Sequence, residues 1–392
     1  MQVFSRLAQE LDQLDQQGML REHRAVQSAS GAMIQLEGQE LINFASNDYL
    51  GLAHDADVCQ AARQAIQTEG WGAGASPLVC GYSLEQQLLE LELATFRGTE
   101  AALVFGSGFA ANSGVLASLV GKEDLLLADH ANHASLMDGC RVSGAKFRSY
   151  PHGNLARLEQ ILRREAGYRE RWIVTDTVFS MDGDLADLKT LADLAQRYHA
   201  GLILDEAHAT GVFGSQGRGV AELCGIDLPA IVHLGTLSKA LGSIGGFVAG
   251  PQVLIDWVIN RARPYIFSTA LPPACAAASR AALRKVGSEP QRRTNLLATA
   301  AKVRKALQSQ GWNIGNSASQ IIPLIVGDPG ATVELSHKFA TLGLFLPAIR
   351  PPAVPADTSR LRLSVTSQHT NKQIEQLLEA CQKLVKTVSH PE

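Results

Sequence analysis

The chain has 392 residues, 46% of them hydrophobic and 19% charged, enough to bury one large core and a smaller satellite domain. A formal net charge of -3, with Lys and Arg scattered along the chain, argues against a nucleic-acid partner, which would need a basic stripe to track phosphates. The six cysteines (Cys59, Cys80, Cys140, Cys224, Cys275, Cys381) stand far apart with no C-x-x-C pair, which predicts reduced thiols in a cytoplasmic protein rather than a disulfide framework or structural zinc.

The N-terminus carries apolar positions at helical spacing among charges, which predicts a surface helix and not a secretory leader. Residues 101–121 are the longest uncharged stretch, but Ser107, Asn112, Ser113 and four glycines interrupt it, so it reads as strand, turn and buried helix rather than a membrane span. Short apolar runs then recur between helical segments: A-A-L-V-F before Gly106, L-L-L-A before Asp129, W-I-V-T before Asp176, G-L-I-L before Asp205 and I-V-H-L before Gly235. That rhythm predicts an α/β fold, a parallel sheet covered by helices on both faces, with ligands bound beyond the carboxyl ends of the strands. From residue 289 a polar helix, the strand-like I-I-P-L-I-V, a helix around 333–342 and the strand-like L-R-L-S-V predict a small α/β domain. The predicted division is an N-terminal helix and arm over 1–45, a large domain over 46–288 and a small domain over 289–392.

The turns after the apolar runs hold the chemistry. G-S-G-F-A-A-N from Gly106 follows a strand and opens a helix, so its backbone N–H groups can hold a phosphate. The same letters match the dinucleotide fingerprint G-x-G-x-x-A, with Asp129 about 20 residues on where a ribose-binding acid would sit, which keeps a nicotinamide dehydrogenase open. In L-I-L-D-E-A-H-A-T-G, Asp205 and His208 either cap the next helix or hold pyridoxal 5'-phosphate, Asp205 at the pyridinium N–H and His208 at the phenolic oxygen. Keeping a pyridine protonated near pH 7 requires roughly two pKa units, about 3 kcal/mol. A carboxylate about 3 Å away offers about 5 kcal/mol at an effective dielectric near 20, so one aspartate suffices.

Lys239 follows another apolar run, in T-L-S-K-A-L-G, with hydroxyls before it, glycines after it and no carboxylate nearby in sequence. An amine there is either solvated or able to lose its proton and attack an aldehyde, with Thr236 adding a hydroxyl toward a phosphate. In D-H-A-N-H-A-S, His130 and His133 could be a metal pair, but nothing like H-E-x-x-H supports one; His133 lying flat against a cofactor ring is preferred. T-D-T-V-F-S-M-D-G-D supplies Asp176, Ser180 and Asp182, which as acids and hydroxyl also suit ordinary turn roles.

In order, G-S-G-F-A-A-N, H-A-S-L, V-F-S-M-D-G-D, L-D-E-A-H-A-T-G and T-L-S-K-A-L-G resemble the α-oxoamine synthases over nearly the whole chain. The resemblance implies a pyridoxal-phosphate transferase of fold type I, with a large, mostly parallel seven-stranded sheet domain and a small C-terminal α/β domain. It implies that Lys239 carries the cofactor as a Schiff base, that Gly108 and Phe109 contact it through their backbone, that His133 stacks on its ring, and that Ser180, Asp205, His208 and Thr236 hold its polar edge. Lys239, His133 and Asp205 would be the catalytic set. Arg362, helped by Asn47, would bind the amino-acid carboxylate, with His133 also facing the substrate and Arg21 and Arg350 near the acyl group. Ser268 and Thr269 would reach the phosphate of a neighbouring subunit, which implies a homodimer with shared active sites.

Within that family, N-F-A-S-N-D-Y-L-G-L from Asn43, H-A-N-H-A-S-L-M-D, Q-G-R-G from Gln216 and A-I-R-P-P from Ala348 resemble the branch that condenses L-alanine with a pimeloyl thioester, on coenzyme A or an acyl carrier protein, toward biotin. Sister enzymes use glycine or serine with other acyl thioesters. Two positions depart from the pattern: Ala353 stands where the family has threonine and Phe267 where tyrosine is common.

Overall fold

Runs such as L-L-L-A and G-L-I-L have no polar residue to turn toward water, and each strand is buried along its whole length, including the aspartate that ends it. Strands of that kind are stable only inside a sheet covered on both faces. The computed structural model, which describes residues 4–28, 31–228 and 230–389, places them there. Residues 1–3 of the predicted N-terminal segment and 390–392 of the predicted small domain lie outside the described residues.

The large sheet has seven strands, β1 (Ala101–Phe105), β2 (Leu125–Asp129), β3 (Lys146–Tyr150), β4 (Arg171–Asp176), β5 (Gly201–Asp205), β6 (Ile231–Thr236) and β7 (Gly246–Gly250). Their order is β1-β7-β6-β5-β4-β2-β3. β7 is antiparallel to both of its neighbours and the other pairs are parallel. The register pairs Asp176 with Asp205, so β4 and β5 end side by side on aspartates. Helices that follow the strands start on side-chain caps: Ser107 accepts from Ala110 N at 3.0 Å, and Asn154 and Asp187 accept from Arg157 N and Thr190 N at 2.9 and 3.1 Å. The apolar layer beneath helix Gly108–Leu119 joins Ala111, Val115 and Leu116 to Leu126, Val174, Ile203 and Leu234 of the strands.

The chain divides into two units. One runs Leu50–Ser180 and Leu185–Thr294 and contains the seven-stranded sheet. The other joins Met1–Tyr49, Met181–Asp184 and Asn295–Glu392. In this second unit Ile321–Gly327, Ser359–Ser364 and Ala348–Ile349 form an antiparallel sheet, and helix Pro329–Thr341 is capped by Asp328. The segment expected as a separate arm is built into the same unit, because Leu344 and Phe345 pair in parallel with Ile42 and Asn43. Met181–Asp184 also joins it, through Gly183, whose carbonyl accepts from Ala318 N at 2.9 Å, and Asp182, which pairs with buried Arg360 at 2.5 Å.

No helix among the described residues is long and apolar enough to cross a membrane.

β7 begins where helix Gly108–Leu119 begins, and the approach is too close for a side chain: a Cβ on Gly246 would lie 2.5 Å from Gly108 Cα. Gly246→Ala should therefore lower the free energy of unfolding by about 1 to 3 kcal/mol, whereas Gly106→Ala, with open space at its Cβ, should stay within about 0.5 kcal/mol of the parent. Chemical denaturation of the two variants checks the contrast.

Candidate active site

The carboxyl ends of β4, β5 and β6 bring Asp176, Asp205 and Thr236 to one edge of the sheet, and the loops beyond them close a cavity of about 240 Å³. Of the residues expected from the sequence, Gly108, Phe109, His133, Asp205, His208, Thr236 and Lys239 all line it. Ser107, Asn112, Ser135, Asp176 and Ser238 line it too, and these the sequence reading did not assign to the site. Ser180, Ser268 and Thr269 belong to the same unit but are not part of this lining, and Ser268 and Thr269 are exposed. A larger cavity, about 620 Å³, surrounds Arg97, Arg218 and His233 near the start of β6, but its ionic groups serve each other: Arg97 contacts His233 Nδ1 at 2.6 Å and pairs with Glu206 at 3.7 Å.

Asp205 is 3% exposed and both its oxygens are bonded, Oδ1 accepting from Ala207 N at 2.8 Å and Oδ2 from Asn112 Nδ2 at 2.6 Å. Asn112 lies one helical turn beyond Gly108, and its amide also donates to Ser135 Oγ at 2.9 Å. Ser135 Oγ in turn lies 2.7 Å from His133 Nδ1. The turn that carries His133 is clamped from below, with Asn132 donating to Val174 O at 2.8 Å and accepting from Asp176 N at 3.0 Å. Asp176 Oδ2 accepts from His133 N at 2.6 Å. Asp129 anchors the same turn by accepting from Ala131 N and Gly153 N at 2.9 and 3.0 Å.

Asp176 is 2% exposed, and its carboxyl is pushed well above the usual range, first by burial and then by the charge of Asp205. The His133 imidazole is held below its ordinary pKa by burial, against the opposing pull of Asp205.

The residues fit pyridoxal phosphate on the chemistry of the donor set. Helix Gly108–Leu119 opens at the cavity, and Ser107 caps Ala110 N while Ser107 O accepts from Ala111 N, so the N–H groups of Gly108 and Phe109 remain for an anion. Gly108 faces Thr236 across that end, and a Cβ there would stand 3.4 Å from it, in ordinary contact. One adjustment is needed. The Thr236 hydroxyl donates to Gly245 O at 2.8 Å and lies 2.8 Å from Ser238 Oγ, so Ser238 is a further hydroxyl at this end of the cavity.

The other unit holds the remaining expected residues. Arg362 is 6% exposed, and the neutral oxygens of Ser364, Asn47 and Tyr49 accept from it at 2.9, 3.1 and 3.4 Å. Arg350 donates to the carbonyls of Gly18 and Leu20, and Arg21 to Pro351 O. Burial, then the charge of Arg21, lowers the Arg350 pKa.

Three readings left open by the sequence do not survive the structure. A dinucleotide fold needs the glycine turn between adjacent parallel strands, but β1 is an edge strand paired only with antiparallel β7. Asp129, the proposed ribose acid, is consumed by backbone N–H groups and His152. His130 and His133 do not converge on one point, since His130 Nδ1 accepts from His152 N at 2.7 Å while His133 Nδ1 engages Ser135. Asp205 ends β5 and His208 lies in the run of turns that follows, with no helix starting there, so they are not helix caps.

A carboxyl with a raised pKa keeps its proton in the fold and loses it when unfolded, so its stabilising contribution is complete below the unfolded value of 3.8 and is lost as pH rises through the folded value. Asp205 and Asp129 raise that value, while Lys239 and the His133 N–H lower it. Asp176→Asn, permanently neutral, should therefore gain stability relative to the parent as pH rises from about 4 to 8 in cofactor-free protein. A difference in melting temperature that does not change with pH would contradict this.

A family model described as aminotransferase class I and II matches residues 39–381. The chain is 44% identical over 382 residues to the 8-amino-7-oxononanoate synthase of Geobacter sulfurreducens, covering 97% of this chain and 98% of that one. It is 45% identical over 361 residues to the synthase of the same name from Methylococcus capsulatus, covering 92% and 93%. Among solved structures it is similar to serine palmitoyltransferase from S. paucimobilis with a bound PLP–myriocin adduct, at 30% identity and TM-score 0.93, with 98% of each chain covered. It also matches 8-amino-7-oxononanoate synthase from Francisella tularensis, at 29% identity and TM-score 0.78, over 89% of this chain and 99% of that one. With its largely parallel seven-stranded sheet and its aspartates at the strand ends, the chain belongs to the class I and II aminotransferase family, on the branch of the 8-amino-7-oxononanoate synthases.

Proposed function

We propose that this chain is a pyridoxal-phosphate enzyme that condenses L-alanine with a pimeloyl thioester, releasing carbon dioxide and the free thiol and forming 8-amino-7-oxononanoate for biotin synthesis. The observation that carries the reading is the convergence of Asp205, His133, His208 and Lys239 with an open helix N-terminus around one cavity. When bound, pyridoxal phosphate supplies an electrophilic aldehyde and a ring that withdraws electrons from the amino-acid Cα.

The protein's part is to hold, orient and move protons. Lys239 Nζ is the amine that would hold the cofactor's aldehyde carbon, and the same Nζ would serve as the base for the amino-acid Cα proton. Asp205, fixed by Asn112 and Ala207 N, holds the ring nitrogen's proton, and His208 is assigned the phenolic oxygen. Gly108 and Phe109 N–H groups, with Thr236 and Ser238 at the same end, are assigned the phosphate. The His133 ring is assigned the face of the cofactor. Ser180 is assigned a polar contact to it. Arg362, held by Asn47, is assigned the alanine carboxylate, where a guanidinium fork suits two oxygens. Arg21 and Arg350 are assigned the acyl substrate, delivered on coenzyme A or a carrier protein.

We further assign a homodimer in which Ser268 and Thr269 reach the partner's phosphate. In the single chain Phe4, Leu7, Leu11 and Leu14 lie exposed at helical spacing on an N-terminal helix with no buried residue, and Val79 and Phe267 are 77% and 70% exposed. Apolar surface of that kind favours association. The dimer reading predicts sedimentation at twice the chain mass, and a monomer at micromolar concentration would contradict it.

Lys239→Ala should lose turnover by about four orders of magnitude or more while retaining cofactor affinity in the other contacts. Near-normal turnover would remove Lys239 from its role. In the parent protein the visible band of the bound cofactor should shift with L-alanine at lower concentration than with glycine or L-serine. A band answering only to glycine or serine would move the chain to a sister activity.

A further inference from the structure

His133 plays two parts at once: its ring lines the cavity, and its side chain caps helix Ala134–Val142 by accepting from Ser135 N at 3.3 Å. A backbone N–H can only donate, so the ring atom that receives it, Nδ1, presents a lone pair. The Ser135 hydroxyl lies 2.7 Å from the same Nδ1. Ser135 Oγ is itself the acceptor of the Asn112 amide at 2.9 Å, and the other proton of that amide goes to Asp205 Oδ2 at 2.6 Å. The amide orientation is set by Asp205, because the reversed amide would press a carbonyl oxygen against a carboxylate oxygen. Because Nδ1 presents a lone pair and carries no proton to give, the contact with the Ser135 hydroxyl has one direction: Ser135 accepts from Asn112 and donates its own proton onward to Nδ1.

We infer that this helix cap and the Asp205–Asn112–Ser135 relay fix His133 as the neutral tautomer protonated at Nε2, which makes Ser135 and Asn112 positioning residues for the ring. The hydrogen-bond direction runs one way, from the Asn112 amide to Ser135 and from Ser135 to Nδ1, so protonating Nδ1 would break the cap and the relay together. The groups facing the ring divide: Asp205 and Asp138 favour a charged imidazole, Lys239 and burial oppose it, and Asp176 is occupied with the His133 backbone N–H. The outcome is a ring that offers an N–H donor beside the cofactor cavity without carrying charge. For its catalytic consequence the inference rests on the assignment of His133 made above; the tautomer itself does not.

The test is nitrogen NMR of the full-length protein labelled with ¹⁵N at histidine, with pyridoxal phosphate bound and removed, the His133 signals being identified by their loss in His133→Asn. The expected result at pH 7 to 8 is a pyrrole-type Nε2 and a pyridine-type Nδ1. A protonated Nδ1, or an even mixture of tautomers, overturns the inference. In Ser135→Ala the His133 signals should show a growing Nδ1–H population and protonation at higher pH, Asn112→Ala should move them the same way, and Ser135→Thr should restore the parent pattern. Signals unchanged in Ser135→Ala overturn the positioning role. Turnover of Ser135→Ala should fall about tenfold, the scale of one orienting hydrogen bond. If the NMR result holds but neither Ser135→Ala nor His133→Asn alters turnover, the tautomer inference stands and the assignment of His133 to the chemistry fails.

Discussion

Two carboxyl groups buried side by side govern this molecule's working edge. Asp176 and Asp205 end neighbouring strands in register, and both are nearly inaccessible to water. Like charges at such a place cannot both persist without help, and the surrounding hydrogen bonds separate their roles. Asp205 receives a main-chain and an amide donor, Ala207 N and Asn112, whereas Asp176 receives the backbone N–H of His133 and is driven toward its neutral form. Because Asn112 comes from the helix that follows β1 and His133 from the turn after β2, that division of labour ties three elements to one cavity.

The same constraint explains why the site sits on the sheet rather than on a loop alone. Parallel strands buried on both faces hold their ends rigidly, and the turns that follow need only a few residues to place a lysine, a histidine or a helix terminus. Gly246 lets β7 and helix Gly108–Leu119 start in contact, an approach that a side chain at Gly246 would prevent. Behind the site, Glu206 faces away from the cavity set and is satisfied by Thr177, Val220 N and Ala221 N, so the D-E-A-H segment is anchored on both sides.

Five of the seven strands were legible because burial on both faces writes a short, mostly apolar run into the sequence. The other two were not, for different reasons. β3, K-F-R-S-Y, is an edge strand with exposed polar positions, and β7, G-F-V-A-G, lies in a glycine-rich stretch whose small residues serve close packing rather than hydrophobic patterning. Lys239, Asp205, His208 and His133 were visible as polar residues at the ends of apolar runs. Asn112, Ser135 and Asp176 acquire their meaning from hydrogen bonds between elements distant in sequence, which spacing does not encode, although Asn112 closes the same G-S-G-F-A-A-N turn that pointed to the phosphate. The arm's membership of the second unit was hidden for a similar reason: pairing Ile42 with Leu344 links positions about three hundred residues apart.

The central claim is that the cavity around Lys239 and Asp205 condenses L-alanine with a pimeloyl thioester and discards the alanine carboxyl group. The most direct measurement is mass spectrometry of a reaction with carboxyl-labelled L-alanine and pimeloyl-CoA. The account predicts that the label leaves entirely as carbon dioxide and that 8-amino-7-oxononanoate accumulates unlabelled, in step with free thiol. Thiol release without that product, or label retained in the product, would contradict it.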